Sequence, residues 1–233
     1  RLNAGTIADL TPAELSISGG RPYENNFVID GASTNNLLDS LSRRGFDSVE
    51  ASNQAVFIDA DLLRSIEVFD SSVPAEYGDF IGGAVIAKTR DPSEHLSATL
   101  SSRYSSSSLT SYLIDEEILK QILTRTAPEE RKIPDKTEFE RKRFQFSMDF
   151  PINNEIKALG SYGRQIARVT RGALSSSYFL NKRPRDTVRE NFFLKLQSDP
   201  SPNSSISIQT LLTPYRDEYW RSSLGRQYGG GTS

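Results

Sequence analysis

The run ADLLRSIEVFDSSVPAEYGDFIGGAVIAKT, residues 60–89, holds two β-forming segments and a glycine-rich turn in one short span. Leu62, Leu63 and Ile66 follow the carboxylates of Asp59 and Asp61, which suit the positive end of a helix, so the spacing predicts a helix of one to two turns. Ile66 and Val68, then Val85 to Ala87, are β-formers, and strands are expected over Ser65–Phe69 and Gly83–Lys88. Between them Gly78, Gly82 and Gly83 permit a positive φ or a close approach of backbones. The turn is therefore expected to press main chain against something.

Working upstream, ISGGRPYENNFVIDG (residues 17–31) reads as a hairpin whose second strand ends in Ile29-Asp30-Gly31. Together, the IEV strand of Ile66, Glu67 and Val68, the Tyr77-Gly78 turn, the Gly82-Gly83 pair and the upstream FVIDG resemble the plug domain of TonB-dependent outer-membrane transporters. Three residues separate Tyr77-Gly78 from Gly82-Gly83, and with Ala75-Glu76 and Asn25-Asn26 this wording is similar to the Oar-like branch. Asp70-Ser71, where the family usually has Arg-Gly, and Arg90-Asp91-Pro92 depart from the pattern. The resemblance covers residues 7–89 by motif and the rest by pattern alone.

After Pro92 the sequence changes to period two. Leu96, Ala98, Leu100 and Tyr104 alternate with polar residues, and Phe144, Phe146, Met148 and Phe150 alternate with Arg143, Gln145, Ser147 and Asp149. A helix could not keep these sets on opposite faces. Ile156 to Tyr162, Val188 to Leu196 and Ile206 to Leu212 repeat the pattern, which gives five strands. Their connections run long, short, long, short: 113–141, the Pro-Asn-Asn turn at 151–155, 169–186, and the DPSPNS turn at 198–204. Outer-membrane barrels join their strands in that rhythm, with short periplasmic turns and longer outer loops. Phe150, Tyr162 and Trp220 stand where interfacial aromatics would fall. Within the first long connection, residues 115–125 have helical spacing with acids leading and Arg125 trailing, which predicts a small amphipathic helix.

Composition sets bounds on function. The chain has 233 residues, is 36% apolar, contains no cysteine and carries a net charge of −2. No apolar run reaches the roughly 20 residues of a spanning helix, a test that β-barrel strands escape. The charge balance and the dispersal of basic residues argue against nucleic acid as a partner. Catalytic constellations are absent from the sequence: the glycine turn lacks the Lys-Ser/Thr of a phosphate loop, and His95 is the one histidine. No enzyme, metal site or cofactor is expected.

The resulting expectation is an α+β plug over residues 1–92, lacking its N-terminal part, followed over 93–233 by about five antiparallel strands of a transmembrane β-barrel, which the resemblance makes 22-stranded. Both ends are expected to be cuts, with the glycines at 229–231 read as loop. The resemblance places the protein in the bacterial outer membrane, with outer-membrane lipid around it. It implies an energy-transducing TonB-type complex pulling on a missing N-terminal segment, and an extracellular ligand as cargo. The Oar-like alternative is a protein that binds, anchors or passes a polypeptide. Upward-facing loops would read the ligand, and the candidates are Arg21, Tyr23, Asn25, Asn26, Asp30, Asn35 and Asn36. Those asparagines are also ordinary turn formers.

Overall fold

A computed structural model describes residues 16–21, 24–35, 56–70, 77, 82–110, 116–124, 138–171, 183–201, 203–221 and 225–231. These form two sheets. The first contains β1 (Asn25–Ile29), β2 (Ala32–Ser33), β3 (Leu63–Phe69) and β4 (Gly83–Thr89), in the order β2-β1-β4-β3. β1 runs parallel to β4, with Phe27 opposite Val85 and Val28 opposite Ile86, while β3 pairs antiparallel with β4. Val28, Ala84 and Ile86 form its core, with Phe69 and Tyr77 packed against them. The expected strands are present, each extended slightly: β3 starts at Leu63 and β4 continues to Thr89.

The expected helix is not. Ala60–Leu62 makes a single 3-10 turn and Leu63 is already extended, at φ −90° and ψ 135°. Asp59 makes no side-chain capping bond; its carboxylate is taken by Arg143 of the second sheet, and the turn closes through Leu62 N–H donating to Asp59 O at 2.9 Å and Leu63 N–H donating to Ala60 O. Tertiary pairing outcompetes the local cap, and the expected helix of one to two turns shrinks to this single turn. Residues 36–55 lie outside them.

The second sheet is a wall of antiparallel ladders: β5 (Ser97–Ser106), β6 (Glu138–Pro151), β7 (Ile156–Arg171), β8 (Arg183–Ser201), β9 (Ser204–Leu212), β10 (Tyr215–Arg221) and β11 (Gly225–Gly231). Its order is β11-β10-β8-β7-β6-β5, with β9 also on β8. β9 and β10 act as one strand. Phe192 faces Leu212 and Arg189 faces Tyr215, so the register passes unchanged through Thr213-Pro214. Proline interrupts the ladder there because it has no N–H to give. The five sequence-read strands are thus all present, and β11 is a sixth where a loop was expected: Gly229 and Gly230 pair with Asp217 and Arg216. Glycines supply no side-chain pattern, so periodicity could not reveal that strand.

The tight turn after β6 is held by Asn153, whose Oδ1 accepts from the backbone N–H of Glu155 at 2.8 Å and of Ile156 at 2.7 Å. The helix of the first long connection is α1 (Glu116–Leu123). Among the described residues no helix is long and apolar enough to cross a membrane. Phe144 and Phe146 are 43% and 39% exposed on the wall's outer side, whereas Gln145 and Asp149 are buried on the other, as the alternation required.

Candidate functional site

The two sheets meet along a seam built from the polar parity of the wall strands. Residue 143 of β6 and residues 163 and 165 of β7 stand over the 3-10 turn of the first sheet. Arg143 donates to Asp59 Oδ1 at 2.6 Å and to Gln145 Oε1 at 2.8 Å, and lies 3.6 Å from Asp61. Gln165 Nε2 donates to the same Asp59 oxygen at 3.3 Å. Gly163 makes the approach possible: a Cβ on it would collide with Asp59 Oδ2. A glycine inside a strand is the sequence sign of such contact. Burial is the largest influence on Asp59 and pushes its carboxyl above the usual carboxylate range, against the opposing pull of the Arg143 guanidinium.

Around this pair the seam turns apolar. Leu62 is 1% exposed and packs on Leu159 and Phe193 of the wall, with Ile58 and Leu211 alongside. Burying such a leucine contributes about 2 kcal/mol. Phe57 lies under the Arg189 guanidinium, 4.3 Å from ring centroid to Cζ, and its carbonyl accepts from Asn191 Nδ2. Phe57, Asp59, Gly163, Gln165 and Asn191 border a cavity of about 50 Å³, room for one or two waters.

At the other end of the seam the last strand of the first sheet is fastened. Asp30, held at φ 48°, accepts from Thr89 N–H at 2.9 Å with Oδ1 and from the Thr89 hydroxyl at 2.6 Å with Oδ2. Lys195 of β8 then donates to Thr89 Oγ1 at 3.2 Å and to Asp91 at 2.9 Å. Arg90 donates to Asp149 at 2.8 Å, and Asp149 also accepts from Ser93 N–H and the Ser97 hydroxyl at 3.1 Å each. Every wall partner here sits on a residue facing the first sheet, so this end of the seam is polar.

Of the sequence-read ligand candidates, Asn25 and Asn26 lie inside β1 and are 1% and 4% exposed. This corrects their placement on an open turn: the chain is already extended there, because it pairs with Gly83 and Ala84. Asp30 braces Thr89 as described. Asn35 Oδ1 accepts from Phe27 N–H at 2.9 Å. Arg21 is exposed, and its backbone N–H donates to Glu24 at 2.7 Å. Tyr23 and Asn36 lie outside the described residues, as does Gly78.

In the motif itself, Tyr77 joins the core, Glu67 meets Lys88 at 3.7 Å, and Ile66 and Val68 are exposed on the edge strand. Gly82 and Gly83 do what the sequence asked of them by one of the two routes only. Neither has a positive φ, unlike Gly19 and Gly31. A Cβ on Gly83 would lie 2.5 Å from Ile17 Cγ2 and 2.6 Å from Phe69 O, and one on Gly82 would lie 2.6 Å from Asn25 Oδ1. Arg143, Gly163, Asn191 and Lys195 escaped the sequence reading as site residues. Their parity was legible, but the partners across the seam were not.

The first sheet is thus held by ion pairs and one apolar cluster against an antiparallel wall with one apolar face. The crystal structure of the outer membrane transporter YddB from Escherichia coli superposes with a TM-score of 0.74 at 22% sequence identity, over 97% of this chain and 30% of that one. In sequence, the chain is 36% identical over 92 residues to the uncharacterized protein YddB of Escherichia coli strain K12, a match covering 38% of this chain and 11% of the relative. No family model matches. The chain thus spans less than a third of YddB, and its fold is similar to that of part of this outer membrane transporter.

Proposed function

We propose that this chain is the plug and first wall strands of a TonB-dependent transporter of the bacterial outer membrane, which takes up an extracellular ligand when its plug is rearranged by an energy-transducing complex. The observation that supports this reading is the seam. Beside the apolar contact of Leu62 with Leu159 and Phe193, Asp59, Arg90, Asp91 and Thr89 are tied to Arg143, Asp149 and Lys195 through contacts that water can replace. Paired polar groups re-solvate at modest net cost, because folding had exchanged their water hydrogen bonds for protein ones. Force on the first sheet can therefore detach it stepwise. No side chain performs covalent chemistry in this account, and no cofactor takes part.

Ligand capture falls to the outer loops, with Arg21, Tyr23, Asn35 and Asn36 as contact residues and Asn25, Asn26 and Asp30 shaping the strand and turn behind them. Titration of the full-length protein, in detergent, with the purified periplasmic domain of the energy-transducing protein tests the coupling. Saturable binding is expected. No binding, together with co-purification of a secreted polypeptide, would overturn import in favour of the Oar-like reading.

A further inference from the structure

We propose that the wall carries, on its outward face, a site for the phosphate of a membrane lipid, formed by Arg164 and Arg216 at the upper edge of the apolar band. The ladder registers define that edge. Leu100, Phe146, Tyr162, Phe192 and Leu212 stand in one row across the strands, and the rows toward the short turns continue apolar, with Met148, Gly160 and Leu194 and then Phe150, Ala158 and Leu196. Tyr162 and Phe192 close the band with rings 4.8 Å apart. Toward the long connections the next row brings Phe144, Arg164 and Glu190 side by side, and the one after it Lys142, Ile166, Val188 and Arg216. Charged side chains enter the outward face there.

At that change Arg164, Val188, Glu190, Pro214, Tyr215 and Arg216 line an open hollow of about 230 Å³. Pro214 stands opposite Glu190 in its lining, its carbonyl accepting the Glu190 N–H at 2.9 Å. Charge distinguishes this spot from the rest of the belt. Lys142 is paired with Glu140 at 3.0 Å, and Arg168 grips both oxygens of Asp186 at 2.6 and 3.0 Å. Glu190 accepts from the Tyr162 hydroxyl at 2.8 Å and lies 3.9 Å from Arg164, while Arg216 makes no ion pair among the described residues. Two guanidiniums thus line the hollow with one carboxylate that already accepts from Tyr162.

A guanidinium fork suits phosphate, and the apolar rows below would take acyl chains. The occupant that satisfies both is a phosphorylated lipid of the outer leaflet. A free anion would leave the aromatic and aliphatic rows unused. The site depends on the outer-membrane reading given above, and the test separates the two. Full-length protein is mixed with phosphatidylcholine vesicles containing either bis-phosphorylated lipid A or its dephosphorylated form, floated, and assayed for retained lipid by mass spectrometry. The wild type is expected to float and to retain the phosphorylated lipid about tenfold over the other. Arg164→Gln/Arg216→Gln should float equally and lose that preference, and Arg168→Gln should keep it. A wild type that fails to float would overturn the membrane reading as well as the site. Flotation without lipid preference, a preference that survives in the double variant, loss of preference in Arg168→Gln, or inorganic phosphate binding as tightly as the lipid would each overturn the site alone.

Discussion

Gly83 shows how one residue serves the whole arrangement. Its missing Cβ lets β4 lie against Ile17 and the carbonyl of Phe69, and β4 is the strand whose end, Thr89, carries both Asp30 and Lys195. Crowding, not a left-handed backbone, is what forbids a side chain here. Gly83→Val should destabilise the first sheet by about 1–3 kcal/mol through overpacking. Gly160→Val is the matched control, because nothing lies within 4 Å of a Cβ on Gly160. Denaturant midpoints of the two variants measure the difference, and equal midpoints would remove the close approach from the account. The need for glycine was legible from the sequence. That the reason is Ile17, far away along the chain, was not, since only the parallel pairing of β1 and β4 brings it there.

Among the elements, the wall strands were the most legible, because side-chain alternation is set by the backbone pleat and needs no knowledge of partners. The 3-10 turn was the least legible. Its two acids looked like a helix start, but Asp59 had a stronger claimant across the seam in Arg143, and local spacing cannot register a partner that many residues distant. That pair gives a pH prediction. Because burial raises the Asp59 carboxyl, the docked state prefers it protonated, so its contribution to docking is full below the ordinary carboxylate range and declines as pH rises through the raised value. Amide exchange protection at Leu62 and Leu63, taken relative to intrinsic rates, should therefore fall from acid toward neutral pH in the wild type. Asp59→Asn should remove that slope, because an amide cannot titrate, and hold the protection near its acid level at neutral pH. An unchanged slope in Asp59→Asn would assign the pH dependence to another group.

At the level of the molecule, the change of period near Pro92 falls between the first sheet, which ends at Thr89, and the wall, which begins at Ser97. The docking of the first sheet onto the wall did not follow from any motif. It arises from matches such as Leu62 on Leu159 and Phe193 that only a three-dimensional register creates. The central claim is that the wall spans a bilayer with its phenylalanine face in lipid and its glutamine face against the first sheet. Spin labels at Phe146→Cys and Gln145→Cys of the full-length, otherwise cysteine-free protein in vesicles test it most directly, by comparing relaxation by oxygen, which concentrates in lipid, with relaxation by a water-soluble nickel chelate. The account predicts that oxygen dominates at position 146, and that the label at 145 is immobile and shielded from both; strong relaxation by the chelate at 146 would contradict it.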